Sequence, residues 1–191
     1  MDLRRVVIIA AFLNLAYFGV EFTVATAIGS VSLFADSIDF LEDTSLNLLI
    51  ALALGWSTHR RARLGMVLAG ILLVPSVAAL RTAWQKFISP IPPEPISLSL
   101  TGAGALIVNS ICAFLLVRFR SHSGSLTKAA FLSARNDALA NVAIIAAGFI
   151  TVYTHSGWPD LIVGLGIMAI NADAAREVWR AARKEHIEAK A

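Results

Sequence analysis

Long apolar stretches recur along the whole chain and constrain its fold more than any other feature. A helix needs about 20 apolar residues to cross the hydrocarbon core of a bilayer. The 191 residues are 57% hydrophobic and only 15% charged, a balance unlike that of an ordinary soluble domain. We therefore predict an all-α membrane protein in which residues 1–185 form one transmembrane domain and residues 186–191 a short cytoplasmic tail. The six predicted spans cover about residues 5–27, 30–55, 64–87, 96–117, 125–154 and 161–182.

Basic residues gather in short clusters between these spans. With six spans, all the main clusters fall on one side of the membrane: Arg4 with Arg5, Arg60–Arg63, Arg118 with Arg120 and Lys128, and Arg176–Lys184. Because cytoplasmic connections carry an excess of Lys and Arg, both termini are predicted to be cytoplasmic. The net charge of +3, distributed in this way, indicates membrane topology and not a nucleic-acid-binding surface.

The second predicted span carries a polar stripe inside its apolar sequence. Asp39, Asp43 and Asn47 stand at positions i, i+4 and i+8, so a helix places them on one face. An ionised carboxylate near the bilayer centre costs about 2.5–3.5 kcal/mol on insertion scales, and two of them repel each other. Protons, a basic partner or a bound divalent cation could neutralise the pair.

The fifth predicted span repeats this spacing with Ser133, Asp137 and Asn141. If the two stripes face each other, Asp39, Asp43, Ser133 and Asp137 offer three carboxylates and one hydroxyl to a single cation. Hard oxygen ligands of this kind suit divalent metals. The single Cys112 and the lack of a C-x-x-C pair exclude a thiolate site. The structural alternative is a buried hydrogen-bonded network that only holds the two helices together.

The residues around the first stripe resemble the cation diffusion facilitator family, also called cation efflux proteins. The stretch Gly29–Asp43 follows the pattern G-S-x-(A/S)-L-L-A-D-(A/S)-x-(H/D)-x-x-x-D of that family's second helix. Asp39 and Asp43 fall on its two metal-ligand positions, and Asp36 falls on the Asp of its A-D-(A/S) segment. The ending Phe87–Pro90 of the third span, and Asn14 with Glu21 in the first, also match.

This resemblance implies a secondary transporter that exports divalent transition-metal cations such as zinc, manganese, iron, cobalt or cadmium. It also implies proton antiport with alternating access, a homodimer, and one intramembrane site per protomer between the second and fifth helices. The metal ion is then the cargo and the proton the counter-ion, and no resident cofactor, catalytic residue or nucleic-acid partner is expected. We expect an integral protein of the bacterial inner (plasma) membrane.

Two departures from the family pattern affect this interpretation. Ser133 stands where the family usually has His or Asp, and a neutral hydroxyl is a weaker zinc ligand than imidazole. The predicted site is therefore lined entirely by oxygen, and the choice of metal stays open. Only a few residues follow the sixth span, so we expect a member without the cytoplasmic metal-binding domain that many relatives carry.

Several other polar residues are candidates for secondary roles around the ion. Asn136 could supply a replacement carbonyl oxygen, although a ~100° offset turns it away from the Ser133–Asp137 face. Glu21 could line a water-filled entrance or relay protons, or it could form a structural pair. The amides Asn47, Asn141 and Asn109 could support the ion, but interhelical hydrogen bonds are the favoured interpretation. The full set of secondary candidates is Glu21, Asp36, Asn47, Asn109, Asn136 and Asn141.

Arg135 is unusual because it lies in an apolar helix two residues from Asp137. One interpretation is an intramembrane ion pair with Glu42 or Asp36 on the second helix. The other is that its side chain extends toward the cytoplasmic headgroups.

A membrane scaffold and a membrane-embedded hydrolase are the alternatives to transport. A non-transporting membrane subunit or scaffold could keep the fold while Ser133 leaves the metal site degenerate. A membrane-embedded hydrolase would need a nucleophile–His pair at membrane depth, and the sequence contains none.

Overall fold

The described residues form six helices. A computed structural model of the chain describes residues 2–53, 77–119 and 125–171, and within these ranges there is no strand. The helices are α1 (Leu3–Ile28), α2 (Val31–Ala53), α3 (77–88), α4 (Pro95–Val117), α5 (Ser125–Thr154) and α6 (Trp158–Asn171). The basic loop at Arg60–Arg63, the start of the third predicted span, the end of the sixth, and the predicted tail 186–191 lie outside the described ranges.

Three described helices are long and apolar enough to cross a bilayer: α1, α4 and the Ala130–Thr154 part of α5. The shorter α6 is also apolar. Helix α2 has a spanning length of 23 residues, but its four acidic side chains lower its hydropathy. The structure therefore confirms an all-α integral membrane protein, and it singles out α2 as the polar member of the set.

Local capping explains where several helices begin and end. Asp2 caps α1 by accepting a hydrogen bond from the Arg5 amide at 3.0 Å, and Gly29 ends α1 in the left-handed conformation (φ 64°) that favours glycine. Glu94 caps α4, where Pro95 occupies the first turn and needs no hydrogen-bond partner. Hydrogen bonds from Ser97 and from the Ile96 amide hold the pKa of the Glu94 carboxyl below its usual range.

Helices α1, α2, α4 and α5 form the centre of the bundle. The pairs α1–α2 and α4–α5 pack most extensively, and α1 with α4 and α2 with α5 join the two pairs. Glycine permits a close approach of α5 to α4, since a Cβ on Gly148 would lie 2.1 Å from Ser99 Oγ. The apolar core contains Leu33, Leu98 and Ile144. Large apolar side chains on the outer faces, including Phe12, Phe114 and Phe149, are exposed and suit contact with lipid.

Candidate cation site between α2 and α5

The two polar stripes face each other across the centre of the bundle. Asp39 and Asp43 are buried on α2, one helical turn apart. Across from them on α5, Asp137 lines one cavity together with Asp39. The structure thus brings Asp39 and Asp137 together. Asp43 and Ser133 each lie one helical turn away from these two acids, on the same helix faces.

These side chains gather loosely. Within the part of the chain that the structure describes, no three His, Cys, Asp or Glu side chains converge as tightly as a single bound metal ion requires. Repulsion between neighbouring carboxylates favours this spread arrangement.

A cavity of about 380 Å³ opens beside the acids. Asp39, Asn136 and Asp137 line it together with Asn171 and the apolar side chains of Leu139, Ala140, Ile167 and Ile170. The helical offset predicted that Asn136 would point away from the site, whereas the structure includes it in the lining. A larger cavity of about 610 Å³ lies along α5 and α6, but its lining has no charged side chain. The smaller cavity therefore borders the candidate site at Asp39 and Asp137, while Asp43 and Ser133 lie outside its lining.

Asn171 is a site residue that the sequence analysis missed. It lies in α6, and its Nδ2 donates a hydrogen bond to Asp39 Oδ1. Residues 171 and 39 are separated by 132 positions, so no local pattern connects them. The available signal was a lone amide inside the apolar stretch Ile167–Ala172.

The other amides hold the acids in place from several helices. Asn14 Nδ2 lies 3.5 Å from Asp43 Oδ2, which ties α1 to the stripe. Asn109 Nδ2 donates to Asn141 Oδ1 at 3.1 Å, and Asn141 Nδ2 donates to Asp36 Oδ2 at 2.5 Å. Asn141 is therefore directed at Asp36 and not at the predicted ion. These bonds agree with the favoured interhelical interpretation of Asn109 and Asn141.

Asn47 is the last residue of the polar stripe on α2. Its Nδ2 donates to the backbone carbonyl of Asp43 at 2.8 Å, one turn earlier in the same helix. Its side-chain oxygen is buried and receives no hydrogen bond from any described residue. The interhelical hydrogen bond predicted for Asn47 is therefore not formed by its Nδ2, which stabilises its own helix, and its oxygen is left as an acceptor inside the bundle.

Arg135 and Glu42 do not form the ion pair that we considered. Both residues are exposed, and Arg135 Nη2 donates to Asn136 Oδ1 at 3.3 Å. Position 135 lies two residues from both Ser133 and Asp137, a rotation of about 200° on the helix. Arg135 is therefore on the face of α5 opposite to the acids.

A second polar cluster lies at the N-terminal ends of α2 and α6. The fully buried Asp160 accepts hydrogen bonds from the hydroxyls of Ser30 and Ser32, both at 2.6 Å, and from the amides of Val31 and Ser32. It also forms a salt bridge of 2.9 Å with Lys86 on α3, whose side chain is 6% exposed. The sequence analysis placed neither residue in a site. We call this group the Asp160 cluster.

The family described as the cation efflux transmembrane domain matches residues 7–185, nearly the whole chain. The match includes both helices that carry the acidic stripes. No curated protein matches the sequence.

Proposed function

Because the chain belongs to the cation efflux family, a family of membrane transporters, we propose that it exports a divalent transition-metal cation in exchange for protons. The chain is a cation transporter of the cation diffusion facilitator kind. The proposal concerns three further properties: the identity of the ion, the direction of its transport and its coupling to protons. Asp39, Asp43, Ser133 and Asp137 are the proposed ligands.

The observation that carries this proposal is the group of acids between α2 and α5 that has no basic partner among the described residues. No described Lys or Arg side chain forms an ion pair with Asp39, Asp43 or Asp137, since the described ranges contain a single salt bridge, Lys86–Asp160. Buried charges without a partner are strongly destabilising. A divalent cation neutralises two carboxylates at once, and protons neutralise them one by one.

Competition between these two kinds of neutralisation supports antiport. A carboxylate oxygen that binds a metal ion must first give up any proton, so cation binding and proton binding exclude each other at the same atoms. If the helices open the site first to one side and then to the other, each cation that leaves is replaced by protons. The cavity lined by Asp39, Asp137 and Asn171 borders the proposed site on the side of α6.

The ligand chemistry favours oxygen-preferring cations. All four proposed ligands bind through oxygen, and a serine hydroxyl is a weaker zinc ligand than the imidazole usual in the family. Manganese, iron(II), cobalt and cadmium are therefore candidates beside zinc. We further propose a homodimer in the bacterial inner (plasma) membrane, on the basis of the family alone.

A metal panel in reconstituted vesicles tests the proposal. Purified protein is reconstituted with a pH gradient, and uptake of zinc, manganese, iron, cobalt, cadmium and magnesium is measured. We expect transport of at least one transition metal, loss of that transport in Asp137→Asn, and retention in Glu94→Gln, which removes an exposed acid at the start of α4. Transport that is independent of the pH gradient would refute proton coupling.

The scaffold hypothesis makes a different prediction in the same preparation. A degenerate site would give no transport and no cation-dependent rise in the melting temperature, in the wild type as in Asp43→Asn. A rise that Asp43→Asn abolishes supports the transporter.

A further inference from the structure

Both proposed ligands on α2 accept a hydrogen bond from an amide on a neighbouring helix. Asn14 Nδ2 on α1 lies 3.5 Å from Asp43 Oδ2. Asn171 Nδ2 on α6 donates to Asp39 Oδ1. One oxygen of each carboxylate therefore has a partner in the protein, and neither partner belongs to α5, the helix that carries Asp137.

The amide of Asn14 lies away from the position proposed for the cation. In the centre of the bundle, α1 packs on α2 and α4, and α5 packs on the same two helices, so α1 and α5 occupy diagonal positions. The Asp43 oxygen that faces Asn14 is on the side of α1, whereas the proposed cation lies between α2 and α5. The other oxygen, Oδ1, is then the one for the cation. In the same way, Asp39 Oδ1 is on the side of α6.

The orientation of the Asn14 amide has its own support from α4. The buried Cys112 has its Sγ 3.5 Å from Asn14 Oδ1, and a thiol can donate a weak hydrogen bond to an oxygen. Because the oxygen of the amide faces the thiol, its Nδ2 faces Asp43. Asn14 is completely buried, and both polar atoms of its side chain have a partner.

An amide on one oxygen changes how a carboxylate can bind a cation. Ca²⁺ takes about six to eight oxygen ligands and often binds both oxygens of one carboxylate. Transition-metal cations can complete their shell with fewer ligands, about four in the case of Zn²⁺. Two-oxygen ligation requires both oxygens of the carboxylate to face the ion. A carboxylate that keeps one oxygen turned to an amide supplies only the other.

We propose that Asn14 and Asn171 are specificity-determining residues of the cation site, because their amides disfavour Ca²⁺ against transition-metal cations. They do so by restricting Asp43 and Asp39 to ligation through one oxygen each. Ca²⁺ would then need additional water molecules to complete its shell inside a buried site. This role rests on the proposed function, since it takes Asp39 and Asp43 as ligands of the cation.

Competition between Ca²⁺ and Mn²⁺ tests this role. The full chain is placed in phosphatidylcholine nanodiscs and loaded with Mn²⁺, Ca²⁺ is added, and the released Mn²⁺ is followed by its electron paramagnetic resonance signal. In Asn14→Ala and in Asn171→Ala, we expect the ratio of the Ca²⁺ to the Mn²⁺ dissociation constant to fall about tenfold, the lower end of the effect of losing such a supporting bond. A variant that only loosens the bundle would weaken the binding of both ions alike. Gln85→Ala, which removes an exposed amide on α3, should keep the wild-type ratio.

The contact between Cys112 and Asn14 supplies a second comparison. Cys112→Ser keeps a hydrogen-bond donor for Asn14 Oδ1 and should keep the wild-type ratio. Cys112→Ala removes the donor and should lower the ratio, as Asn14→Ala does. In the Asn14→Ala background the two substitutions should give the same ratio, because the thiol acts through the amide. Equal ratios in the two single variants would refute the role of the thiol.

Infrared spectroscopy gives a measurement that does not depend on the folding of the amide variants. The separation of the two carboxylate stretching bands differs between one-oxygen and two-oxygen ligation. In the difference spectrum between Mn²⁺-loaded and cation-free wild type, the bands of Asp39 and Asp43 are assigned by their loss in Asp39→Asn and Asp43→Asn. We expect both acids to show one-oxygen ligation. Two-oxygen ligation by both would refute the proposed role.

The outcomes separate this role from the proposed function. If Mn²⁺ binding is lost in Asp43→Asn but the ratio is unchanged in both amide variants, the specificity role is refuted and the proposed ligand set stands. A ratio that shifts in only one amide variant refutes the role of the other amide. Mn²⁺ binding that is unchanged in Asp39→Asn and Asp43→Asn refutes the ligand set and, with it, this role.

Discussion

The Asp160 cluster and the acidic stripe of α2 contain the same kind of residue in opposite surroundings. Asp160 is buried with four hydrogen-bond donations from Ser30, Val31 and Ser32 and a salt bridge from Lys86. Asp39 and Asp43 are also buried, but their side-chain partners are the amides of Asn171 and Asn14, and no described Lys or Arg pairs with them. An acid whose charge is satisfied by the protein stabilises the fold, whereas an acid left without a cation is available to bind one.

The largest predicted effect concerns the Asp160 cluster. Asp160→Ala leaves the buried Lys86 ammonium unpaired, and the loss of one partner of a buried pair costs about 3–5 kcal/mol. We expect the free energy of unfolding in detergent micelles to fall by that amount, with or without metal. Arg81→Met, which removes an exposed basic residue of the same α3 helix, should change it little. An unchanged stability in Asp160→Ala would remove the contrast between the two regions.

The variant Asp43→Asn should not reduce the stability of the cation-free protein. Without cations its stability should equal or exceed that of the wild type, because a repelling charge is removed. With cation at 100 times its dissociation constant, the wild type should gain about 2.7 kcal/mol and the variant should gain nothing. Thermal unfolding in the presence and absence of Mn²⁺ measures both quantities. A large destabilisation without cation would mean that Asp43 is a structural residue like Asp160.

Asn171→Ala tests whether α6 belongs to the site. Asp39 would lose the hydrogen bond that orients its carboxylate, and loss of such a supporting bond typically weakens metal affinity 10–100-fold. We expect a loss at the lower end, about tenfold or 1.4 kcal/mol, in Mn²⁺ binding measured by isothermal titration calorimetry. Gln85→Ala, which removes an exposed amide on α3, is the control. Equal affinity in wild type and Asn171→Ala would restrict the site to α2 and α5.

The smallest predicted effect lies outside the bundle, at Glu94. Because hydrogen bonds to the start of α4 lower its pKa in the folded protein, its stabilising contribution is complete above the ordinary glutamate pKa. That contribution is lost as the pH falls through the lowered value. Glu94→Ala should therefore reduce stability at pH 7 by an amount near the lower end of the ~0.5–2 kcal/mol known for N-caps, since solvent screens the group.

The unfolding midpoints of wild type and Glu94→Ala, compared from pH 7 to pH 3, measure this contribution. The two should converge as the pH falls. A difference that grows toward acid would contradict the assigned cap.

The amino-acid sequence was sufficient to predict the helices and to predict which polar residues share a face of α2 and of α5. The bilayer fixes the length of an apolar helix, so the predicted fourth and fifth spans, 96–117 and 125–154, agree with α4 (Pro95–Val117) and α5 (Ser125–Thr154) to within one residue. The i, i+4 spacing likewise places Asp39 with Asp43, and Ser133 with Asp137, because helical geometry is local. The same helical geometry places Arg135 on the face of α5 opposite to Ser133 and Asp137. The geometry alone therefore disfavours the predicted ion pair with Glu42.

Contacts between helices required the tertiary structure. The approach of Asn171 to Asp39 spans 132 residues and that of Lys86 to Asp160 spans 74, and both depend on how each helix is rotated and packed against its neighbours. The sequence alone determined that this chain crosses a membrane on helices that carry buried acids, since apolar length and helical spacing are local properties. Only the packing of six helices decided which buried acid receives a basic partner and which do not, because an acid's partners come from distant segments of the chain.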